Sequence, residues 1–241
     1  MVNENLKKII DETDNIVFFG GAGVSTESSI PDFRSANGLY KTKNNYQYPP
    51  EIMLSHSFFK AHTEDFFEFY FAKMIFKDAK PNAAHYALAK LEKMGKLKAV
   101  ITQNIDGLHQ AAGSENVLEL HGSVHRNFCT KCGVSYDLDY MLSNSEGVPK
   151  CSHCGGIVKP DVVLYEESLN LDVMDNAVRY IREADVLIIG GTSLVVYPAA
   201  GMIQYYNGNK LVLINKSATS YDNRANLIIH DSIGKTLGDI I

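Results

Sequence analysis

No run of basic residues occurs anywhere in the 241-residue sequence: 23 Lys and Arg are scattered among 28 Asp and Glu, for a net charge of −5. Binding to a nucleic-acid backbone depends on clustered cations that displace counterions, so direct contact with DNA or RNA is not expected. Long apolar runs are missing too. The longest, Ile16-Val17-Phe18-Phe19 and Val186-Leu187-Ile188-Ile189, fall far short of the roughly 20 residues that cross a bilayer. The N-terminal stretch from Met1 to Asp11 lacks the basic start and unbroken apolar core of a secretory signal. Neither export nor a membrane partner is therefore expected, and the cytoplasm is the expected location. Internal repeats and low-complexity tracts are absent, and cysteine is confined to positions 129–154. What remains is ordinary globular usage, 45% hydrophobic and 21% charged, which excludes disorder and fibrous classes and fits one large domain or one domain with a small insert.

The order of patterns along the chain points to an α/β fold. A helical pattern at Leu6, Ile9 and Ile10 precedes a short strand, Ile16 to Phe19, and a turn of small residues, Gly20 to Ser25. Residues 81–95 read as a helix with Ala84, Ala87, Leu88 and Leu91 on one face and Gly95 to end it. Strands are expected at Ala99–Ile101, Val117–Leu120, Val162–Leu164, Asp185–Ile189, Lys210–Ile214 and Leu227–Ile229, with a helix over Asp172–Glu183. Alternating strands and helices imply a Rossmann-like parallel sheet covered on both faces. Two stretches break the alternation: residues 35–80, rich in aromatics, and residues 122–158, which hold the cysteines. They divide the chain into sheet-forming parts 1–34, 81–121 and 159–241, and are expected to build a small second lobe, part helical and part zinc ribbon.

Three features carry chemistry. Gly21-x-Gly23 permits a tight turn and close approach of backbone amides to a pyrophosphate. Thr26 stands where the dinucleotide fingerprint has its third glycine, and no acidic residue follows at the end of a second strand about 20 residues on, which disfavours a hydride-transferring dehydrogenase. Two Cys-x-x-Cys pairs, Cys129/Cys132 and Cys151/Cys154, are separated by eighteen residues. That spacing closes one tetrahedral thiolate site, most simply one structural zinc ion, with no open position for catalysis. His125 and His153 nearby read as surface residues. Finally, Thr102-Gln103-Asn104-Ile105-Asp106 and His121-Gly122 follow candidate strands, at the strand ends where open parallel sheets bind ligands. Either segment alone is equally consistent with loop capping.

Together these residues resemble the sirtuins, NAD-dependent protein lysine deacylases. The resemblance is carried, in family order across nearly the whole chain, by Gly21-Ala22-Gly23-Val24-Ser25, Ile30-Pro31-Asp32-Phe33-Arg34, Thr102 to Asp106, Glu119-Leu120-His121-Gly122, the four cysteines, Lys159-Pro160-Asp161-Val162-Val163, Gly191-Thr192-Ser193-Leu194 and Ile214-Asn215. It implies that the acyl oxygen of a modified lysine attacks the nicotinamide ribose of NAD, expelling nicotinamide and forming an alkylamidate, with O-acetyl-ADP-ribose and free lysine as products. His121 is then the base that takes a proton from a ribose hydroxyl, and imidazole suits that task because its pKa lies near neutrality. Asn104, also counted with the catalytic residues, and Gln103 address the ribose hydroxyls. Asp106 and the backbone at Ile105 hold the nicotinamide carboxamide, while Phe33 shields the reacting ribose face. Ala22, Thr26 and Arg34, with Asp32 in the same motif and the Gly21 to Ser25 amides, form the phosphate and ribose pocket. Gly191, Thr192, Ser193, Asn215, Lys216 and Ile233 line the adenosine side.

The acyl-lysine protein is expected to add as an extended strand between Val163–Glu167 and Gly191–Tyr197, with Val163, Tyr165, Glu167 and Val195 in contact, and the enzyme to be a monomer. Protein mono-ADP-ribosylation is the alternative chemistry for the same pocket, supported only by Glu166, and a non-catalytic binding module is the other alternative. Sirtuins that remove acidic acyl groups carry a Tyr-x-x-Arg pair. Tyr70-x-x-Lys73 is the matching pair here, implying mainly deacetylation with minor desuccinylation, and the competing reading packs Tyr70 in an aromatic core. Two positions depart from the family pattern: Ser29 replaces a usual glycine, and Tyr165-Glu166-Glu167 stands for the usual Phe-Gly-Glu. A left-handed backbone at Glu166 would store about 1–3 kcal/mol of strain.

Overall fold

A computed structural model describes residues 3–35, 38–40 and 46–240; positions 36, 37 and 41–45 of the expected 35–80 insertion, and the extreme ends of the chain, lie outside the described residues. Nine strands are described: β1 Ile16–Gly20, β2 Leu97–Thr102, β3 Val117–Glu119, β4 Asn127–Cys129, β5 Ser135–Tyr136, β6 Val158–Pro160, β7 Val186–Gly190, β8 Lys210–Ile214 and β9 Leu227–Ile229. The α-helices are α1 Glu4–Asp11, α2 Pro50–Met53, α3 His56–Ala61, α4 Thr63–Lys73, α5 Ala83–Lys93, α6 Leu108–Ala111, α7 Leu138–Ser143, α8 Leu171–Glu183 and α9 Ile233–Gly238. Six strands form one sheet in the order β3-β2-β1-β7-β8-β9, and every pairing in it is parallel.

Strands β1 and β7 are buried at every position, as a sheet covered on both faces requires. Alternate side chains divide between two cores. Val17, Phe19, Leu187, Ile189, Leu211 and Leu213 face α8 and the 3-10 segment Ala199–Tyr205. Ile16, Phe18, Val186, Ile188, Val212 and Ile214 face α1, α5 and α9. Each fully buried phenylalanine or isoleucine contributes about 1.5–3 kcal/mol, so this double core anchors the strand ends that carry the polar loops.

A second, smaller sheet, β5-β4-β6, is antiparallel. Cys129 and Val158 of this sheet, with Cys151 from the turn before β6, share a third core with Met53, Phe58, Phe59, Phe66, Phe67, Phe69 and Tyr70 of α2, α3 and α4. The cysteine-bearing and aromatic segments therefore form one lobe around one core. The strand expected at Val162–Leu164 does not form. The neighbouring β6 pairs with β4 instead, and residues 162–164 join no ladder, Val163 N donating to His121 O at 3.0 Å. Their apolar pattern reflects burial of Val162 and Leu164 in the third core. Among the described residues no helix is long and apolar enough to cross a membrane.

Asn82 caps α5 by accepting from Ala84 N at 2.9 Å, and its amide donates to Val24 O at 2.8 Å and Ser28 Oγ at 2.9 Å. Helix α5 is thereby tied to the glycine turn after β1. His85 Nδ1 accepts from Asn82 N at 3.2 Å, so its proton resides on Nε2. His85 and His109 are a buried pair at 0% and 1% exposure with ring centroids 4.7 Å apart.

Burial, opposed in part by the Asp106 charge, lowers His85 to about 4; burial, then the neighbouring His85, lowers His109 to about 3. Above about pH 6.5 both histidines are neutral whether folded or not, and the pair leaves stability independent of pH. As pH falls below about 6.5, the unfolded chain takes up protons that the folded protein refuses. Stability should then decline by up to about 1.4 kcal/mol per pH unit for each histidine. Urea unfolding between pH 7.5 and 5 should show this slope, and His109→Phe should flatten it; an equal slope in the variant would contradict the assignment.

Candidate active site

Strands β1 and β7 adjoin at the centre of the sheet, and the chain leaves them toward opposite edges. A crevice opens at their C-terminal ends, as in other doubly wound sheets. Two glycines set its floor. Gly23 N donates to Gly191 O at 2.7 Å, and a Cβ on Gly23 would lie 2.8 Å from both Cα and O of Gly191. Gly191 itself has φ +60°, where a side chain is strained. The first turn after β1 can pack on the loop after β7 only without side chains at either point.

Polar groups converge above this floor. Ser25 Oγ donates to Asp106 Oδ2 at 2.6 Å, Asn104 Nδ2 donates to Ser25 Oγ at 3.0 Å, and Leu108 N donates to Asp106 Oδ1 at 2.9 Å. Each carboxylate oxygen of Asp106 thus has a donor and a fixed direction. His121, just beyond β3, hydrogen-bonds through Nδ1 to Gln103 O at 2.9 Å. A carbonyl only accepts, so Nδ1 carries the proton and Nε2 is the basic nitrogen. Burial lowers the His121 pKa, with the Gln103 hydrogen bond opposing, and the ring is neutral near pH 7.

Every residue expected at the cofactor site, from Gly21 in the first turn to Ile233 at the start of α9, borders one groove of about 1580 Å³, as do Val163, Tyr165, Glu167 and Lys73. Some of these side chains are already engaged. Gln103 Nε2 donates to Gly20 O at 3.3 Å and Thr192 Oγ1 at 3.0 Å, so it braces the floor. Glu167 accepts from Lys159 Nζ at 3.1 Å and Leu164 N at 2.9 Å and pairs with His56 Nδ1 at 2.9 Å, which makes it a strut of the 163–167 segment. Asn215 accepts from Thr192 N at 2.9 Å, while its buried Nδ2 has no protein partner. An orphaned donor in the groove, together with the amides of the glycine turn, fits a dinucleotide with ribose and phosphate acceptors.

Two expected substrate residues do not border the groove. Val195 is 54% exposed outside it. Tyr70 is 0% exposed, its ring 5.8 Å from those of both Phe66 and Phe71. Lys73 reaches the groove and Tyr70 does not, so the Tyr70-x-x-Lys73 pair is not assembled. Helix α4 is buried on several sides, at Phe66, Phe67, Phe69 and Tyr70, and its i,i+3 spacing does not decide which side chain meets the groove. Both departures from the sequence pattern sit in left-handed backbone, Ser29 at φ 64° and Glu166 at φ 74°. Tyr40 and His125 were not anticipated. Both line the groove, and His125 Nε2 lies 3.1 Å from Asp106 O; no sequence motif marks either.

The four cysteine sulfurs lie within 4.8 Å of one another, with Cys129 to Cys154 at 3.4 Å and Cys132 to Cys151 at 3.6 Å. These separations are too long for disulfides and close to the roughly 3.8 Å edge of a tetrahedron of sulfurs around zinc. Lys131 N and Cys132 N point at Cys129 Sγ, and the Tyr136 hydroxyl donates to Cys151 Sγ at 3.0 Å, which supports thiolate charge. The residues fit one structural zinc ion held by Cys129, Cys132, Cys151 and Cys154, which would crosslink β4 to the turn before β6.

The sequence matches the model of the Sir2 family over residues 21–198. It is 71% identical over 240 residues to an NAD-dependent protein deacetylase of Clostridium acetobutylicum, covering 100% of this chain and 98% of the relative. It is 65% identical over 237 residues to one of Clostridium perfringens, covering 98% and 97%. Among solved structures, a Sir2 with deacetylated p53 peptide and 3'-O-acetyl-ADP-ribose superposes with a TM-score of 0.90 at 37% identity, covering 98% of this chain and 96% of that one. A Sir2 with p53 peptide and NAD superposes with a TM-score of 0.87 at 37% identity, covering 100% and 97%.

Because two of the cysteines belong to the third core, metal loss should spread beyond the thiolates. Elemental analysis should find one zinc per chain. Cys129→Ala should lose it and melt well below the parent. Unchanged metal content and melting in that variant would show the cluster to be dispensable.

Proposed function

The chain belongs to the Sir2 family, and from that membership and the geometry of the groove we infer that it is an NAD-dependent protein lysine deacetylase, releasing nicotinamide and passing the acetyl group to ADP-ribose. The observation that carries the reading is the fixed tautomer of His121: with Nδ1 held by Gln103 O, Nε2 is a neutral base at the strand ends. In this reading His121 takes the proton from a ribose hydroxyl so that it attacks the activated acyl group. Asn104, aligned by its bond to Ser25, orients the ribose. Asp106, held by Ser25 and Leu108, and the Ile105 backbone receive the carboxamide, while Phe33 keeps water from the reacting face. Arg34 and the Gly21–Ser25 amides balance the diphosphate.

The acyl-lysine segment binds as an extended strand beside Val163–Tyr165, a placement supported by the position of Val163 and Tyr165 on the groove wall. The Glu166 carboxylate, the sole support for ADP-ribosyl transfer, accepts from Ser57 N at 2.8 Å and Ser57 Oγ at 2.9 Å, so deacetylation is the favoured chemistry. The gathering of all four cysteines at one metal-type cluster is the thiol usage of a reducing compartment, which supports a cytoplasmic enzyme.

His121→Ala should lower kcat by about 10²–10⁴ with little change in acetyl-lysine peptide affinity. Because the His121 pKa is lowered, the parent enzyme should lose activity on the acid side only below about pH 6.5. Full turnover in the variant, or an acid limb centred above pH 7, would contradict the role.

A further inference from the structure

Two phenols meet across the groove. The hydroxyls of Tyr40 and Tyr165 lie 2.6 Å apart although 125 positions separate them in sequence. Tyr40 closes the loop that carries Phe33 and Arg34: Leu39 N donates to Asp32 O at 2.8 Å and Tyr40 N to Phe33 O at 2.9 Å. Its ring packs on Phe33 with centroids 5.5 Å apart, and the Arg34 guanidinium carbon lies 5.2 Å from its centre. Any displacement of Tyr40 therefore displaces the residues assigned to the NAD ribose and phosphates.

Tyr165 is fixed from the opposite wall. Its N–H donates to Leu54 O at 3.0 Å and its carbonyl accepts from His56 N at 2.9 Å. The next residue, Glu166, grips Ser57 through two further hydrogen bonds. Burial first, and then the bond to Tyr165, drive the Tyr40 pKa up, so Tyr40 stays a neutral phenol. One hydroxyl donates and the other accepts. The phenylalanine usual at position 165 would keep the ring and lose this bond, through which the Tyr165 hydroxyl ties the cofactor loop to the substrate segment.

Resting on the deacetylase reading, we propose that the Tyr40–Tyr165 hydrogen bond is a latch that couples the two substrates: it holds the Phe33–Arg34 loop and the Val163–Glu167 segment in one geometry, so whichever ligand orders its own wall prepares the other. Coupling between two sites is reciprocal. NAD should therefore tighten acyl-peptide binding by the same factor as the peptide tightens NAD binding. A neutral hydrogen bond sets that factor at about twofold to tenfold.

The test uses calorimetry on the full chain with an acetyl-lysine peptide and a carbocyclic NAD analogue that cannot release nicotinamide. In the parent protein the analogue should lower the peptide Kd by about twofold to tenfold. Tyr40→Phe and Tyr165→Phe should each abolish most of this gain, and the double variant should resemble either single one, since all three lack the same bond. Each substitution keeps the ring, and the melting temperatures should stay close to that of the parent. Coupling that persists in Tyr165→Phe, or losses that add in the double variant, would overturn the latch. Binding of both ligands to the parent without coupling would overturn the latch and leave the deacetylase reading standing, whereas failure of the parent to bind either ligand would overturn both.

Discussion

The contact between Gly23 and Gly191 governs the architecture of the site. The turn after β1 and the loop after β7 touch backbone to backbone, with Gly23 N on Gly191 O at 2.7 Å. A side chain at either point would push the two central strand ends apart. That closeness lets Ser25 reach Asp106 and Asn104 on the neighbouring strand end, and lets Gln103 span from Gly20 to Thr192. Gln103 in turn holds His121 through its carbonyl. The base, the carboxylate and the brace of the groove are thus organised from one glycine pair.

The small lobe supplies the facing wall. Its core joins the cysteine sheet to the aromatic helices, and the segment from Val162 to Glu167 leaves that core along the mouth of the groove. Tyr165 N on Leu54 O and Glu166 on Ser57 fasten this segment to the turn before α3 and to α3 itself. Left-handed backbone at Glu166 costs about 1–3 kcal/mol, and the two bonds to Ser57 offset part of it. Glu166 thus clamps the segment to α3.

Much of this was legible in the sequence. Strands β1 and β7 are unbroken apolar runs because both sheet faces are covered. The four cysteines announce their cluster by spacing alone, and the polar motifs fall at strand ends where a parallel sheet places ligands. Other features arise only in three dimensions. Val162 to Leu164 has the composition of a strand but joins no ladder. Tyr70 and Lys73 share a helix whose burial on several sides defeats a one-face reading. His85 pairs with His109, and Tyr40 with Tyr165, across distances that no local pattern encodes. His125, expected at the surface, is exposed yet borders the groove and touches Asp106 O.

The central claim is that a neutral His121 at the strand ends turns NAD cleavage into acyl transfer. Mass spectrometry of all products from one incubation with NAD and an acetyl-lysine peptide tests it directly. The account requires one nicotinamide and one O-acetyl-ADP-ribose for each lysine uncovered. Free acetate without consumption of NAD, or a peptide heavier by an ADP-ribosyl group with its acetyl group intact, would contradict it.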